Sequence, residues 1–259
     1  MADYEFVTVE KDGPLLIVTM NRPEKMNALH PPANKELSDV FDAFAADEEL
    51  WVAIITGAGD RAFSAGNDLR YQAEGGDMFA VPMGFGGLTN RYDLNKPVIA
   101  AVNGVAMGGG FEIALACDLI IAADTARFAL PEPKVGLAAL AGGLHRLPRQ
   151  IGLKRAMGMI MTGRHVMAEE GQHLGFVNAV APQDQLMDEA KRWAGMIMEC
   201  SPMSIRASKE AVMGGLDIAN YHEAFTTRFP AVTAMLKSED FIEGPRAFAE
   251  KRKPNWKGK

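Results

Sequence analysis

By type and context, Glu112 and Glu132 are the residues of this chain best suited to chemistry. Glu112 follows the run Met107-Gly-Gly-Gly-Phe111 and is otherwise surrounded by Ile113, Ala114, Leu115 and Ala116; Glu132 stands between prolines in Leu130-Pro-Glu-Pro133, just after the strand-like run Ala126 to Ala129. An ionisable group in an apolar helix is paired, turned to the surface or functional. Glycines at Gly108 to Gly110 let another molecule approach the backbone and leave the N–H groups of a helix's first turn open to a negatively charged atom. Two carboxylates beside an anion-stabilising helix start are the parts of an acid/base enzyme acting next to a carbonyl. Taken singly, each feature has a plainer reading: a charged helix face, a solvated turn, or close helix packing.

Other chemistries lack their patterns. No Gly-Lys-Ser/Thr ending marks a phosphate loop, the glycines do not give Gly-x-Gly-x-x-Gly, and no Gly-x-Ser-x-Gly elbow occurs. The five histidines show no ligand spacing, so no metal site is expected; His145 is expected to cap or pack a helix start. Cys117 and Cys200 lie in apolar helical contexts without disulfide or metal spacing, so both are expected to be buried, in a reducing and therefore cytoplasmic compartment.

Those residues need a frame to hold them. Tyr4 to Glu10 and Leu15 to Met20 alternate like strands around Lys11-Asp-Gly-Pro14, a hairpin signal. Leu37, Val40, Phe41 and Phe44 give a helix over about 33–46, and Val52 to Thr56 a buried strand. The loop Arg61-Ala-Phe-Ser-Ala-Gly-Asn-Asp-Leu69 then places Asn67 at a second helix start. Tyr71 to Thr89, rich in glycine and methionine, is expected to be irregular. Strands follow at Val98 to Val102, Leu119 to Ala122 and around Phe128. Beyond Gly142-Gly143 helices alternate with glycines, interrupted by a short strand at Phe176 to Val180; Leu186, Ala190, Trp193, Ala194 and Ile197 mark a long helix, and after Ser201-Pro202 everything reads as helix, with stops at Gly214-Gly215 and Gly244-Pro245. The class is α/β, with repeated β-β-α units and a helical C-terminal third.

The 259 residues suit one large domain or a core with an appendage, with 48% hydrophobic and 23% charged residues. A net charge of -6 argues against nucleic acid as partner, although Lys251-Arg-Lys253 is a local basic patch. No uncharged apolar run approaches the ~20 residues that span a bilayer, and the acidic, alternating start lacks a signal peptide's pattern, so no membrane partner is expected.

Together, Ala62-Phe-Ser-Ala-Gly-Asn-Asp-Leu69, Lys96-Pro-Val-Ile-Ala-Ala-Val-Asn-Gly104, Met107-Gly-Gly-Gly-Phe-Glu-Ile113, Ala116-Cys-Asp118 and Phe128-Ala-Leu-Pro-Glu132 resemble the enoyl-CoA hydratase (crotonase) superfamily over essentially the whole chain. The resemblance implies a spiral of β-β-α turns carrying the acyl-CoA site over 1–199, a helical trimerisation region over 200–259, and a homotrimer or a hexamer built as a dimer of trimers. It implies an acyl-CoA thioester as substrate, with no cofactor beyond the coenzyme A that the substrate carries. The N–H groups of Asn67 and Gly109 then hold the thioester oxygen, while Glu112 and Glu132 carry out syn addition of water to a 2,3-double bond. The implied CoA-binding positions are Lys25, Ala28, Ala65, Asn67, Asp68, Leu69, Gly109, Leu137, Phe248 and Lys251. Segment Gly84 to Thr89 and the ending Ser238 to Arg252 look closest to the carnitinyl-CoA dehydratase group. In place of the proline usual before the double glycine, this chain has Gly136-Leu-Ala-Ala-Leu-Ala-Gly-Gly143. Carnitinyl-CoA dehydration, double-bond isomerisation and a non-catalytic CoA-binding scaffold are the competing readings. The Gly/Met-rich segment Tyr71 to Thr89, together with Leu137 to Ala141, is expected to form an adaptable acyl pocket; a trimethylammonium substrate would instead call on Phe79, Phe85, Glu74 and Asp77.

Overall fold

The computed structural model describes residues 4–77, 79 and 81–259. Of the sequence-based expectations above, those for Met78 and for the first residues of the chain lie outside the described residues. Strands β1 (Val7–Asp12) and β2 (Leu15–Met20) form the expected antiparallel hairpin, closing with Asp12 opposite Leu15. Helix α1 (Pro31–Ala46) buries Leu37, Val40, Phe41 and Phe44.

The chain then repeats one pattern. Strands β3 (Val52–Gly57) and β4 (Ala62–Ser64) precede helix α2 (Leu69–Ala73); β5 (Val98–Val102) and β6 (Val105–Met107) precede α3 (Gly109–Ala116); β7 (Leu119–Ala123) and β8 (Arg127–Ala129) precede α4 (Gly143–Ile151). In each repeat the first strand enters a six-stranded sheet, ordered β1-β2-β3-β5-β7-β10, and the second enters a four-stranded sheet, ordered β4-β6-β8-β9. After α4 come α5 (Leu153–Thr162), β9 (Val166–Met167), α6 (Ala168–Leu174), β10 (Ala179–Ala181) and α7 (Leu186–Met198). Helices α8 (Pro202–Leu216), α9 (Tyr221–Thr226), α10 (Pro230–Met235) and α11 (Glu239–Ala249) complete the C-terminal third.

Strands β3 and β5 are buried throughout, as apolar runs in a parallel sheet covered on both faces must be. The chain leaves one sheet for the other within two to four residues, so backbone groups at these corners lose their ladder partners. Two asparagines replace them. Asn103 Nδ2 donates to the carbonyls of Gly57 (2.9 Å) and Gly59 (2.7 Å), and Asn27 Nδ2 donates to those of Ala58 (3.0 Å) and Ala62 (2.7 Å).

Four expectations need correction. Phe176 and Val177 do not begin a strand: their N–H groups donate back to the Gly171 carbonyl, so the helix end uses the bonds a ladder would need. The Phe176 ring instead joins Phe111 and Phe128, with centroids 5.1 and 5.2 Å away. Gly244-Pro245 does not stop a helix, since α11 runs through it; proline removes a single N–H there, and the absent glycine side chain leaves room for the Trp256 ring. Cys117 is buried, but Cys200 is exposed because it lies just past the end of α7. His145 is likewise exposed, on the outward face of α4 rather than packed. Among the described residues, no helix is long and apolar enough to cross a membrane.

Candidate active site

Helix α3 is where the expected residues meet. Gly108 adopts φ 53°, a conformation glycine reaches without steric cost, and the helix begins at Gly109. One turn in, Glu112 is only 3% exposed, and its Oε1 accepts the N–H of Gly143, the first residue of α4, at 2.8 Å. Glycine at 143 permits this approach: a Cβ there would lie 3.1 Å from Glu112 Cγ and 3.0 Å from Leu130. Burial pushes the Glu112 carboxyl up from its usual 4.5 to about 7. The Gly143 and Ala141 N–H groups and the Arg146 charge oppose the shift, and the Glu132 carboxylate adds to it.

Glu132 reaches the same helix start from the next repeat. It opens a 3₁₀ turn over Glu132–Val135, and a Cβ on Gly108 would sit 3.0 Å from its Oε1. Its Oε2 is buried with no hydrogen-bond partner among the described residues, and burial raises its carboxyl too. A buried oxygen with nothing to bond is poorly placed to carry charge and well placed to hold a proton.

Asn67 is not at a helix start as expected: α2 begins two residues later, with Asp68 as its cap. It makes an isolated parallel bridge with Leu29, in which Leu29 N–H donates to the Gly66 carbonyl (2.8 Å) and Asp68 N–H donates to the Leu29 carbonyl (3.0 Å). Strand alternation therefore turns the Asn67 N–H away from Leu29. Gly66, the residue before Asn67, abuts α3, a Cβ on it falling 2.9 Å from the Gly109 nitrogen. The N–H groups of Asn67 and Gly109 are thus neighbours, and neither donates to an acceptor among the described residues.

The remaining positions divide into three groups. Lys25, Ala28, Ala65, Asp68 and Leu69 share one patch with Asn67, because the 25–29 loop runs alongside 65–69; Ala65 N–H donates to the Met26 carbonyl at 2.9 Å. Leu137 is half exposed beside Glu132, to whose carbonyl its N–H donates. Phe248 and Lys251 stand out in solvent on and just after α11, and no contact among the described residues brings them to this cleft within one chain. Phe85 belongs to the site: its ring lies over Gly109, where an added Cβ would meet it at 2.5 Å. Thr89 Oγ1 and Asn34 Oδ1 hold that turn by accepting the N–H groups of Phe85 and Gly86.

The sequence profile of the enoyl-CoA hydratase/isomerase family matches residues 10–259. Among curated proteins, the carnitinyl-CoA dehydratase of Salmonella arizonae is 45% identical over 259 residues, covering 98% of this chain and 99% of that protein. That of Citrobacter koseri is 46% identical over 254 residues, covering 96% and 97%. Among solved structures, an enoyl-CoA hydratase from Mycobacterium tuberculosis H37Rv superposes with a TM-score of 0.92 at 38% identity over 98% of this chain and 99% of its own. One from Bacillus anthracis gives 0.92 at 35% identity, covering 98% and 100%. With its order of repeats, its paired sheets and these matches over nearly its full length, the chain belongs to the enoyl-CoA hydratase/isomerase family.

Proposed function

We propose that this protein is a hydro-lyase that reversibly adds water across the 2,3-double bond of an enoyl-CoA thioester. The carrying observation is the convergence on one helix start of two carboxyls raised by burial and two unengaged N–H groups. The Asn67 and Gly109 N–H groups polarise the thioester carbonyl, which makes C3 electrophilic. Each is expected to stabilise the developing enolate by ~3 kcal/mol. Glu112, fixed by Gly143, orients the water and takes its proton as hydroxyl oxygen bonds to C3; Glu132 delivers a proton to C2. Coenzyme A enters as part of the substrate, and the protein needs no other cofactor.

A second reading, dehydration of a carnitinyl-CoA, draws on the names of the relatives sharing 45–46% identity and would use the same two carboxyls. Crotonyl-CoA and crotonobetainyl-CoA assayed in parallel separate the two, by which of them loses its enoyl absorbance. Turnover of neither would count against both readings and favour a non-catalytic CoA-binding role. For the 200–259 region we propose a role in assembly into a trimer or hexamer, supported by the exposure of Leu216, Tyr221, Phe225, Phe241 and Ile242. A cytoplasmic location remains part of this reading.

A further inference from the structure

The direction of the Asn67 N–H depends on one residue, Leu29, since both hydrogen bonds of their bridge use its backbone N–H and carbonyl. Bonds from Ala65 N–H to the Met26 carbonyl (2.9 Å) and from Ser64 Oγ to the Asn27 carbonyl (2.8 Å) support the bridge on its 25–27 side, but no ladder rung follows it on the Asp68 side. Arg22 supplies the reinforcement. Its Nη1 donates to the carbonyl of Ala28, the residue before Leu29, and its Nη2 donates to Asp68 Oδ2, in the residue after Asn67, at 3.0 Å. The two side chains are 12% and 9% exposed, so the pair is shielded from solvent screening. The other Asp68 oxygen accepts the Tyr71 N–H at 3.1 Å, which ties the same loop to α2. The Phe6 ring covers the guanidinium, and His30 packs edge-on between Phe6 and Tyr71.

We infer that Arg22 is a positioning residue: by spanning Ala28 and Asp68 it fixes the Leu29–Asn67 bridge and thereby aims the Asn67 N–H. The inference rests on reading that N–H as a donor to the thioester carbonyl. A planar fork holds two acceptors in a fixed relation, which a lysine ammonium on a flexible stem cannot reproduce. Displacing a donor by about 1 Å is expected to lower turnover roughly 10- to 100-fold.

The test measures kcat, KM and the carbonyl stretching frequency of bound butyryl-CoA, a saturated thioester that cannot be hydrated, for the wild-type protein and for Arg22→Lys and Arg22→Ala. Wild type is expected to lower that frequency on binding; a wild type that leaves it unchanged overturns the donor reading itself, whatever the variants do. In folded variants, kcat is expected to fall roughly 10- to 100-fold with KM within about threefold, and the frequency shift to shrink with it. If a variant loses turnover but keeps the full wild-type shift, Arg22 only stabilises the fold and the inference fails. It fails equally if turnover and shift are both retained. Should the Arg22 variants not fold, Asp68→Asn serves in their place, since it keeps the side-chain volume and the acceptor for Tyr71 while removing the charge pair, and the same outcomes decide.

Discussion

Gly143 donates its backbone N–H to Glu112 Oε1 at 2.8 Å, so the first residue of one helix fixes a carboxylate carried by another. This bond engages Oε1, and in the proposed mechanism Oε2 is the oxygen that orients the water. Changing Glu112 or Glu132 to Gln, which keeps shape but removes the titrating group, is expected to lower kcat by roughly 10²- to 10⁴-fold with little change in CoA affinity. Steady-state kinetics with isothermal titration of CoA checks both halves; near wild-type turnover in either variant would count against a two-carboxyl mechanism.

The raised Glu112 carboxyl also fixes a sign for stability. Below its usual 4.5 the group is protonated in folded and unfolded chains alike and costs nothing. As pH rises toward about 7 the unfolded chain releases the proton first, so the folded state loses stability until the folded carboxyl also ionises. Glu112→Gln is therefore expected to be more stable than wild type at pH 8, by up to about 3 kcal/mol, with the gap closing near pH 4.5. Thermal melts across that range test it, and kcat/KM is expected to rise toward neutral pH as the pair of carboxyls titrates.

At Gly109 a side chain meets Phe85 before it meets anything else. Gly109→Val is expected to abolish activity in a protein that still folds, because the ring and the valine cannot share the space over the N–H. The smaller Gly109→Ala should lose activity less, and Phe85→Ala in the same chain should recover part of that loss. Equal activity of the single and double variants would separate Phe85 from the constraint.

Lys251 projects from the end of α11, while its neighbour Arg252 is taken up by Glu243 and Glu250. Lys251 has no ion-pair partner among the described residues, and it is expected to serve the phosphates of CoA in an assembled oligomer. Lys251→Ala should raise KM for acyl-CoA with little change in kcat, by a factor that shrinks as salt is added. An unchanged KM at low ionic strength would leave Lys251 a solvated surface residue.

What the residues revealed on their own follows from the range of the forces involved. Val98 to Val102 and Leu119 to Ala122 were legible as strands because parallel strands covered on both faces are simply apolar. Glu112 was legible because a carboxylate among Phe111, Ile113 and Leu115 is anomalous wherever it occurs. Glu132 was the weaker signal taken singly, because Pro-Glu-Pro looks solvated locally; its approach to the start of α3, where a Cβ on Gly108 would sit 3.0 Å from its Oε1, joins two repeats. Asn67 was placed at a helix start because the bridge that orients it joins it to Leu29, a pairing with no periodicity to announce it. Gly84, Gly86 and Gly87 read as irregular chain, and all three take positive φ in a turn that Thr89 closes and Asn34 ties to α1.

The two N–H groups of the cleft also differ in what they ask of an evolving sequence. Position 67 contributes backbone alone: its side chain turns outward to Gln72, and the Leu29 bridge uses atoms every residue possesses. Substitutions there can drift without touching the reaction, so a comparison of residue types across descendants would show nothing at that site. Position 109 has no such latitude, since Phe85 closes the space any Cβ would occupy. On the proposed reading of both N–H groups as donors to the thioester oxygen, selection on that single step would mark position 109 and hardly touch position 67.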